Sequence, residues 1–264
     1  MTAIALTIAG SDSSAGAGIE ADLKTFAALG VYGATVVTAL TAQNTRGVSA
    51  IHEVPADFIA AQLDAVFTDL KIGAVKIGML GHAPAITAVA AAFDRYRPHN
   101  IVLDPVLVAS SGERLLREDA LSVLRDLISR VHLITPNLAE AAVLLGTSPA
   151  RDEDEMRAQG QKLLTLGAEA VLIKGGHGSG PESVDFLVDA DNCLRLAAPR
   201  TATSKTHGTG CTFASAIAAG LAKGLPLHQA ARDAKTYVSG AIAAADRLDV
   251  GSGRGPLHHF QAWW

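Results

Sequence analysis

The segment Thr206–Thr212 places a cysteine and two glycines directly before an apolar helix. Glycines at a helix start let backbone N–H groups point at an anion, and the helix dipole adds partial positive charge there. The pattern therefore predicts a phosphoryl-binding turn formed by Gly208, Thr209, Gly210 and Cys211. Because thiol pKa values are commonly lowered at a helix N-terminus, we expect Cys211 to accept a proton at neutral pH. The alternative is a small buried hydrophobic residue.

Charged and amide side chains follow three other apolar runs. Lys174 ends one of them and, opposite a phosphate-binding helix, would offset charge during phosphoryl transfer. Asp104 and Glu140 could hold Mg²⁺ through water, since hard cations prefer oxygen ligands. Equally, Asn137 could cap a helix, with Glu140 completing a reciprocal capping box, and the residues alone favour the cap. The chain has no P-loop motif, so an ATP site would be of another kind.

Two further loops offer small or amide groups. The turn Gly10–Asp22 includes a Gly-x-Gly-x-x-Ala pattern, but no acidic residue lies between Asp22 and Glu53, where a dinucleotide site needs one about 20 positions on. It is a tight turn, or a loop that closes over a small substrate near Asp12. Gln43, in the loop Ala42–Gly47, suits a heteroaromatic ring with its own donors and acceptors, although an Asx turn explains this loop equally well.

The elements that must position these residues alternate between short β-branched runs and longer amphipathic stretches. This alternation predicts an α/β fold with a mostly parallel central sheet and helices on both faces. Strands are predicted at 4–9, 34–39, 75–77, 101–104, 133–135, 171–174 and 184–188. Helices are predicted at 19–29, 56–69, 83–96, 118–129, 139–145, 153–166, 212–222 and 227–245. Ligands of such sheets bind outside the carboxyl ends of the strands, where these loops lie.

Composition narrows the class of protein. The chain has 264 residues, 49% of them hydrophobic and 18% charged, which favours one globular domain over 1–264. A net charge of −4 without a basic run argues against a nucleic-acid partner. Two cysteines, Cys193 and Cys211, are too few for a disulfide framework. No Lys or Arg precedes Lys24 and no stretch of about 18 apolar residues occurs, so we expect a cytoplasmic protein without a membrane partner.

Taken together and in this order, the motifs closely resemble the bacterial hydroxymethylpyrimidine/phosphomethylpyrimidine kinases, members of the ribokinase-like superfamily. The resemblance runs from end to end and closes on a similar C-terminus. The matching segments are Leu6–Asp12, Gly16–Phe26, Thr38–Val48, Lys76–Leu80, Asp104–Val106, Ile134–Ala141, Lys174–His177, His207–Thr212 and Gly255–Trp264.

The resemblance implies a three-layer ribokinase-like sandwich. It implies ATP- and Mg²⁺-dependent phosphorylation of 4-amino-5-hydroxymethyl-2-methylpyrimidine and then of its monophosphate, in thiamine biosynthesis. Relatives are often dimers, which predicts a homodimer. Most sugar kinases of the superfamily have an aspartate base where this chain has Cys211, and the pyrimidine kinases resemble this chain in having cysteine.

Roles carry over by matching position. Gln43 resembles the amide that hydrogen-bonds the aminopyrimidine. The same pocket is completed by the backbone of Gly10 and Val106 and the side chain of Met79, with Asp12 in the same loop. Gly208–Cys211 resembles the anion hole. The resemblance also assigns phosphate contacts to Lys174 and Asn137, and it moves Glu140 from cap to Mg²⁺ support, together with Asp104.

Two alternatives stay open. Pyridoxal also carries a hydroxymethyl group on a nitrogen heterocycle, so the same site could act as a pyridoxal kinase. A non-catalytic binding module would keep the pocket without turnover, although the complete set of predicted site residues argues against such a loss of activity.

One departure from the family is Ser110, where many relatives have a lysine; if that lysine binds the substrate phosphate, the second phosphorylation is weaker here. The segment Gly175–Pro181 is either a mobile flap or a long turn.

Overall fold

A computed structural model describes residues 2–108, 115–117, 119–176 and 180–264. Ser110, His177 and part of the segment Gly175–Pro181 lie outside these residues, and so do the predictions made for them. The effect of Ser110 on the second phosphorylation therefore stays a prediction.

Within the described residues, nine strands form one sheet in the order β3-β2-β1-β4-β5-β6-β7-β8-β9. Neighbouring strands from β2 to β7 in this order are parallel, and β3, β8 and β9 are antiparallel additions at the two sides. The predicted, mostly parallel sheet is thus confirmed. The strands are β1 (Ile4–Gly10), β2 (Tyr32–Asn44), β3 (Gly47–Glu53), β4 (Ala74–Ile77), β5 (Ile101–Leu103), β6 (Leu133–Ile134), β7 (Ala170–Lys174), β8 (Glu182–Asp189) and β9 (Cys193–Pro199).

Helices cover both faces of the sheet, as predicted. Core residues from α1, α7 and α8 pack on one face, and core residues from α2 to α6 pack on the other. Each predicted helix is present, with ends that differ by no more than three residues. The helices are α1 (Gly18–Ala28), α2 (Ala56–Asp69), α3 (Ala83–Tyr96), α4 (Ala120–Ile128), α5 (Leu138–Leu145), α6 (Glu153–Leu164), α7 (Thr209–Ala222) and α8 (Leu227–Ala243).

The sequence prediction missed β3 and β9 and made β2 too short. Every residue of β3 is at least partly exposed, and β9 buries a single residue, Leu196. Such strands lack the apolar run that marks a buried strand. Because β2 continues to Asn44 and pairs with β3, Gln43 lies near the end of a β-hairpin and not in a loop after the strand.

The central strands are apolar because both of their faces are buried. Along β1, Leu6 and Ile8 contribute to the core on one face and Ala5 to the core on the other. Because β1, β2, β4, β5, β6 and β7 pair in parallel, their carboxyl ends lie at one edge of the sheet. None of the helices in the described ranges is both long and apolar enough to cross a membrane.

Candidate active site

A cavity of about 740 Å³ lies along the carboxyl edge of the parallel strands. Each site residue predicted from the sequence lines it, so the fold brings together segments far apart in the chain. These residues are Gly10, Asp12, Gln43, Met79, Asp104, Val106, Asn137, Glu140, Lys174, Gly208, Thr209, Gly210 and Cys211.

The loop after β1 is organised by the carboxylate of Asp12, which is 2% exposed. Its Oδ1 accepts hydrogen bonds from the backbone N–H and hydroxyl of Ser14, and its Oδ2 accepts from the N–H groups of Gly16 and Ala17. Oδ2 also lies 2.7 Å from His207 Nε2. Burial opposes ionisation, but the hydrogen bonds from His207 and Ser14 outweigh it and lower the pKa of Asp12 to about 2. Asp12 therefore shapes the loop around the cavity.

This loop interlocks with the turn before α7. Gly208 has φ +82° and a side chain there would come within 1.9 Å of the Gly16 carbonyl oxygen, so the position requires glycine. A Cβ at Gly16 would in turn meet the His207 ring at 2.4 Å. The two glycine-rich segments thus form a single rigid wall of the cavity.

Helix α7 begins earlier than predicted. It starts at Thr209 instead of Thr212, and its first intrahelical hydrogen bond runs from the Thr212 N–H to the Gly208 carbonyl. The N–H groups of Gly210 and Cys211 precede this bond and belong to the turn that points along the helix dipole. The arrangement suits an anion, as the sequence indicated.

Lys174 lies directly beside this helix start. Its Nζ donates to Asp104 Oδ1 at 2.6 Å, and Thr135 donates to the same oxygen at 3.0 Å. A Cβ at Gly210 would lie 3.1 Å from the Lys174 ammonium and 3.3 Å from Asp104 Oδ2. Burial opposes the charge, but Asp104 and Glu140 raise the pKa of Lys174. A cation thus faces the anion-binding turn.

Asn137 and Glu140 form the capping box that the residues alone favoured. Asn137 Oδ1 accepts from the Glu140 N–H at 2.9 Å, and Glu140 Oε2 accepts from the Asn137 N–H at 2.8 Å. Burial raises the pKa of Glu140 to about 7; Lys174 opposes this shift and Asp104 adds to it. The cap therefore holds a second carboxylate near the Lys174–Asp104 pair.

The thiol of Cys211 differs from its prediction. Burial raises its pKa to about 11, although Lys76 and the Gly18 N–H favour the thiolate. Desolvation thus outweighs the helix dipole, and the expectation of a lowered pKa is wrong. The thiol form predominates at neutral pH.

A buried ion pair that we did not single out from the sequence lies close enough to the Cys211 thiol to shift its pKa. Lys76 donates to Asp22 Oδ2 at 2.7 Å, and both side chains are 0% exposed. Asp22 also accepts hydrogen bonds from Thr7 and Ser215, each at 2.6 Å. Ser215 lies one helical turn after Cys211, so the pair supports the cysteine's face of α7. A lysine inside the apolar strand 74–77 was the available signal.

The acceptor end of the cavity consists of Gln43, Met79, Gly10 and Val106. Thr38 fixes Met79 by donating to its carbonyl at 2.6 Å. A Cβ at Gly10 would lie 3.2 Å from Met79 Sδ, so glycine keeps this end open. Gln43 Nε2 lies 3.3 Å from His207 Nε2. The groups form an apolar slot with one side-chain amide.

The opposite end of the cavity contains a second ion pair that the sequence analysis missed. Lys235 in α8 donates to Asp185 Oδ2 at 2.6 Å, and Asp185 Oδ1 accepts from the Gly175 N–H at 2.9 Å. The pair fixes the backbone just after Lys174. Asp185 lies in β8, which the sequence predicted as a strand without a role in the site.

Comparison with known proteins gives a consistent result. A family model described as phosphomethylpyrimidine kinase matches residues 12–258. The chain is 56% identical to the hydroxymethylpyrimidine/phosphomethylpyrimidine kinase of Rhizobium meliloti, over 100% of this chain and 99% of that protein. It is 52% identical to the Escherichia coli enzyme of the same name, over 98% of each.

Solved structures also match. A Bacillus subtilis pyridoxal kinase in complex with ADP superposes with a TM-score of 0.91 at 34% identity, covering 99% of each chain. A Clostridium difficile phosphomethylpyrimidine kinase superposes with a TM-score of 0.81 at 42% identity, covering 90% of this chain and 99% of that one.

Proposed function

Because the chain belongs to the phosphomethylpyrimidine kinase family, we propose that it transfers the γ-phosphoryl group of ATP to 4-amino-5-hydroxymethyl-2-methylpyrimidine and then to the monophosphate, in thiamine biosynthesis. The chain is a phosphotransferase with the ribokinase-like fold. The observation that carries the proposal is the single cavity in which an apolar slot with an amide adjoins an anion-binding turn.

In the proposed reaction, the hydroxymethyl oxygen forms a bond to the γ-phosphorus, and the bond from this phosphorus to the oxygen of the ADP leaving group breaks. Gly208–Cys211 and Lys174 hold the transferring group. Little covalent chemistry is required of the protein, because the transition state is loose and the acceptor loses its proton late. We assign that proton to Cys211 after its thiol has released its own proton to solvent; Lys76 and the Gly18 N–H favour this thiolate, whereas burial opposes it.

Gln43 would hydrogen-bond the acceptor ring, between Met79 and the backbone of Gly10 and Val106. Asp12 would keep the loop around the acceptor in shape. Asn137 would contact a phosphate from the start of α5. The nucleotide would extend from Lys174 toward the Asp185–Lys235 pair, a placement supported by the continuity of the cavity.

Mg²⁺ fits the phosphate end. Glu140 and Asp104 place two carboxylates beside one lysine; burial raises the pKa of Glu140 to about 7, and the negative charge of Asp104 adds to this shift. Among the described residues no three His, Cys, Asp or Glu side chains form a metal cage. Two carboxylates with water and substrate phosphates suit Mg²⁺, which when bound neutralises phosphate charge.

Pyridoxal kinase activity is the second candidate, because solved pyridoxal kinases share this fold at TM-scores of 0.90–0.91. The curated relatives at 52–56% identity carry the pyrimidine kinase name, which favours the pyrimidine. A cytoplasmic homodimer completes the proposal. Two free cysteines support the cytoplasmic compartment. Leu40 and Ile51, which are exposed on the β2–β3 hairpin, support a contact between two copies of the chain. Sedimentation velocity tests the dimer.

The decisive experiment incubates the purified protein with ATP, Mg²⁺ and the pyrimidine alcohol and separates mono- and diphosphate products. Pyridoxal is the competing acceptor, and a reaction without acceptor measures background ATP hydrolysis. We expect pyrimidine diphosphate. Pyridoxal phosphate alone would move the assignment to the second candidate, and binding without turnover would indicate a binding module.

A further inference from the structure

His207 contacts two groups that the proposed function uses separately. Its Nε2 lies 2.7 Å from Asp12 Oδ2 and 3.3 Å from Gln43 Nε2, and the residue is 8% exposed. Its backbone is bonded to Gly208, the first residue of the anion-binding turn. One imidazole thus joins the loop after β1, the end of β2 and the start of α7.

The position of the imidazole proton follows from Asp12. This carboxylate is ionised at neutral pH, since its pKa is about 2, and it can only accept hydrogen bonds. His207 Nε2 must therefore carry a proton and donate it to Asp12. A nitrogen that donates cannot also accept from the Gln43 amide N–H.

The amide of Gln43 consequently has one consistent orientation. Exchanging the amide oxygen and nitrogen turns Oε1 toward His207, where it shares the Nε2–H with Asp12 Oδ2 in a three-centre hydrogen bond. The NH₂ group then takes the position 3.1 Å from Thr41 Oγ1 that Oε1 occupied before the exchange. Thr41 already donates its hydroxyl proton to the Ser11 carbonyl at 2.8 Å, so its oxygen is available as an acceptor. His207 and Thr41 independently favour the same orientation.

We propose that His207 is a positioning residue that fixes the orientation of the Gln43 amide and so selects acceptors with a hydrogen-bond acceptor, such as a ring nitrogen, facing that amide. One N–H of Gln43 remains for the bound ring after the other has bonded to Thr41. The inference deepens the proposed function and rests on it for the identity of the ring. Because His207 is bonded to Gly208, its contact with Gln43 also fixes the position of the bound ring relative to the anion-binding turn.

A double-mutant cycle with Gln43→Ala tests the proposal. We expect His207→Leu to raise the KM for the pyrimidine alcohol about tenfold while the KM for ATP changes less than about twofold, because a site that hydrogen-bonds its ligand loses affinity when the partner is misoriented. In the Gln43→Ala background the same substitution should change the pyrimidine KM less than about twofold. His207→Gln, whose side-chain amide still donates, should restore most of the affinity.

His228→Leu is the control, because His228 Nε2 lies 2.6 Å from Asp189 Oδ2 in a more exposed His–Asp pair whose residues do not line the cavity. It should leave both KM values unchanged. If His207→Leu does not fold, Thr41→Val replaces it in the cycle, since this change removes the other partner of the amide. An equal rise in both backgrounds, or parallel rises in both KM values, would overturn the proposal.

The outcome separates the inference from the proposed function. If the wild-type protein phosphorylates only pyridoxal, the proposed function fails, and the cycle is measured with pyridoxal, which also presents a ring nitrogen. Coupling between His207 and Gln43 would then still support the inference, and additivity would overturn it. A wild-type protein that phosphorylates neither alcohol overturns both.

Discussion

Lys76–Asp22 and Lys174–Asp104 are two lysine–aspartate pairs with N–O distances of 2.7 and 2.6 Å. Both lysines lie in parallel strands, and both act electrostatically on the Cys211 thiol. The side chains of the first pair are 0% exposed, although Lys76 also borders the cavity, whereas those of the second are 13% and 3% exposed and both border it. The two pairs thus have similar N–O distances but differ in how far their side chains are exposed.

The surroundings of each aspartate explain the difference. Asp22 accepts from Thr7 and Ser215 as well as Lys76, so its charge is matched by one ammonium and both of its oxygens are hydrogen-bonded. Asp104 shares one lysine with Glu140, which leaves an excess of negative charge. A neutral pair whose two carboxylate oxygens are both hydrogen-bonded thus stabilises the fold, whereas a pair with excess negative charge is available to ligands.

The largest expected effect is the loss of stability in Lys76→Met. Removing one partner of a buried pair leaves the Asp22 carboxylate uncompensated, which costs about 3–5 kcal/mol. Urea unfolding monitored by circular dichroism measures this free energy. The double variant Lys76→Met/Asp22→Asn should be more stable than the single one. A cost below about 1 kcal/mol for the single variant would show that the Lys76–Asp22 pair does not stabilise the fold.

Lys174→Met should act on turnover instead. Loss of a charge that stabilises the transferring group lowers kcat about 10²–10³-fold. The free energy of unfolding should fall less than in Lys76→Met, because the cavity lets water reach Asp104. Steady-state kinetics and urea unfolding of the same preparations give both quantities. Equal stability losses in the two lysine variants would contradict the assigned roles.

The two pairs also show what the sequence could predict. Lys174 follows an apolar run and precedes glycines, a local pattern that indicated its position at the sheet edge. The Asp22–Lys76 pair joins α1 to β4 across 54 residues, and no local pattern reports that contact. Strands with buried faces were predicted for the same reason that exposed β3 and β9 were missed: periodicity detects burial and not strand pairing.

For Cys211, the motif predicted the position of the residue but not the pKa of its thiol. Its place at the start of α7 was predicted, but the direction of its pKa was not, because desolvation depends on everything packed around the thiol. The capping box of Asn137 and Glu140 was predictable because it is entirely local. The orientation of Gln43 required His207, which lies 164 residues away.

Cys211→Ala removes the thiol on which both lysines act electrostatically. If the thiolate accepts the acceptor's proton, kcat should fall about 10²-fold with little change in either KM, as expected for loss of a general base. Thermal unfolding should be nearly unchanged. Cys193→Ala is the matched control, because Cys193 is a free, exposed cysteine on β9. Full turnover of Cys211→Ala would remove this residue as the base.

The smallest expected effect is a pH dependence of stability caused by Glu140. Its pKa is about 7 in the folded protein against 4.5 for the ordinary group, so between these values the folded state holds a proton that the unfolded state has lost. Raising the pH through this window therefore favours unfolding, by on the order of 1–3 kcal/mol, and the dependence ends above about pH 7. Urea unfolding in EDTA from pH 4.5 to 8 measures it.

Glu140→Gln tests whether this dependence belongs to the charge and not to the cap. Glutamine at the same position can keep the reciprocal capping box, since its side-chain oxygen still accepts from the Asn137 N–H. The decline in stability between pH 4.5 and 7 should then disappear while α5 stays capped. The excess negative charge beside Lys174 would also be relieved, so the variant should be more stable than the wild type at pH 8. A decline of equal size in Glu140→Gln would assign the titration to another group and remove the contrast with the neutral Lys76–Asp22 pair.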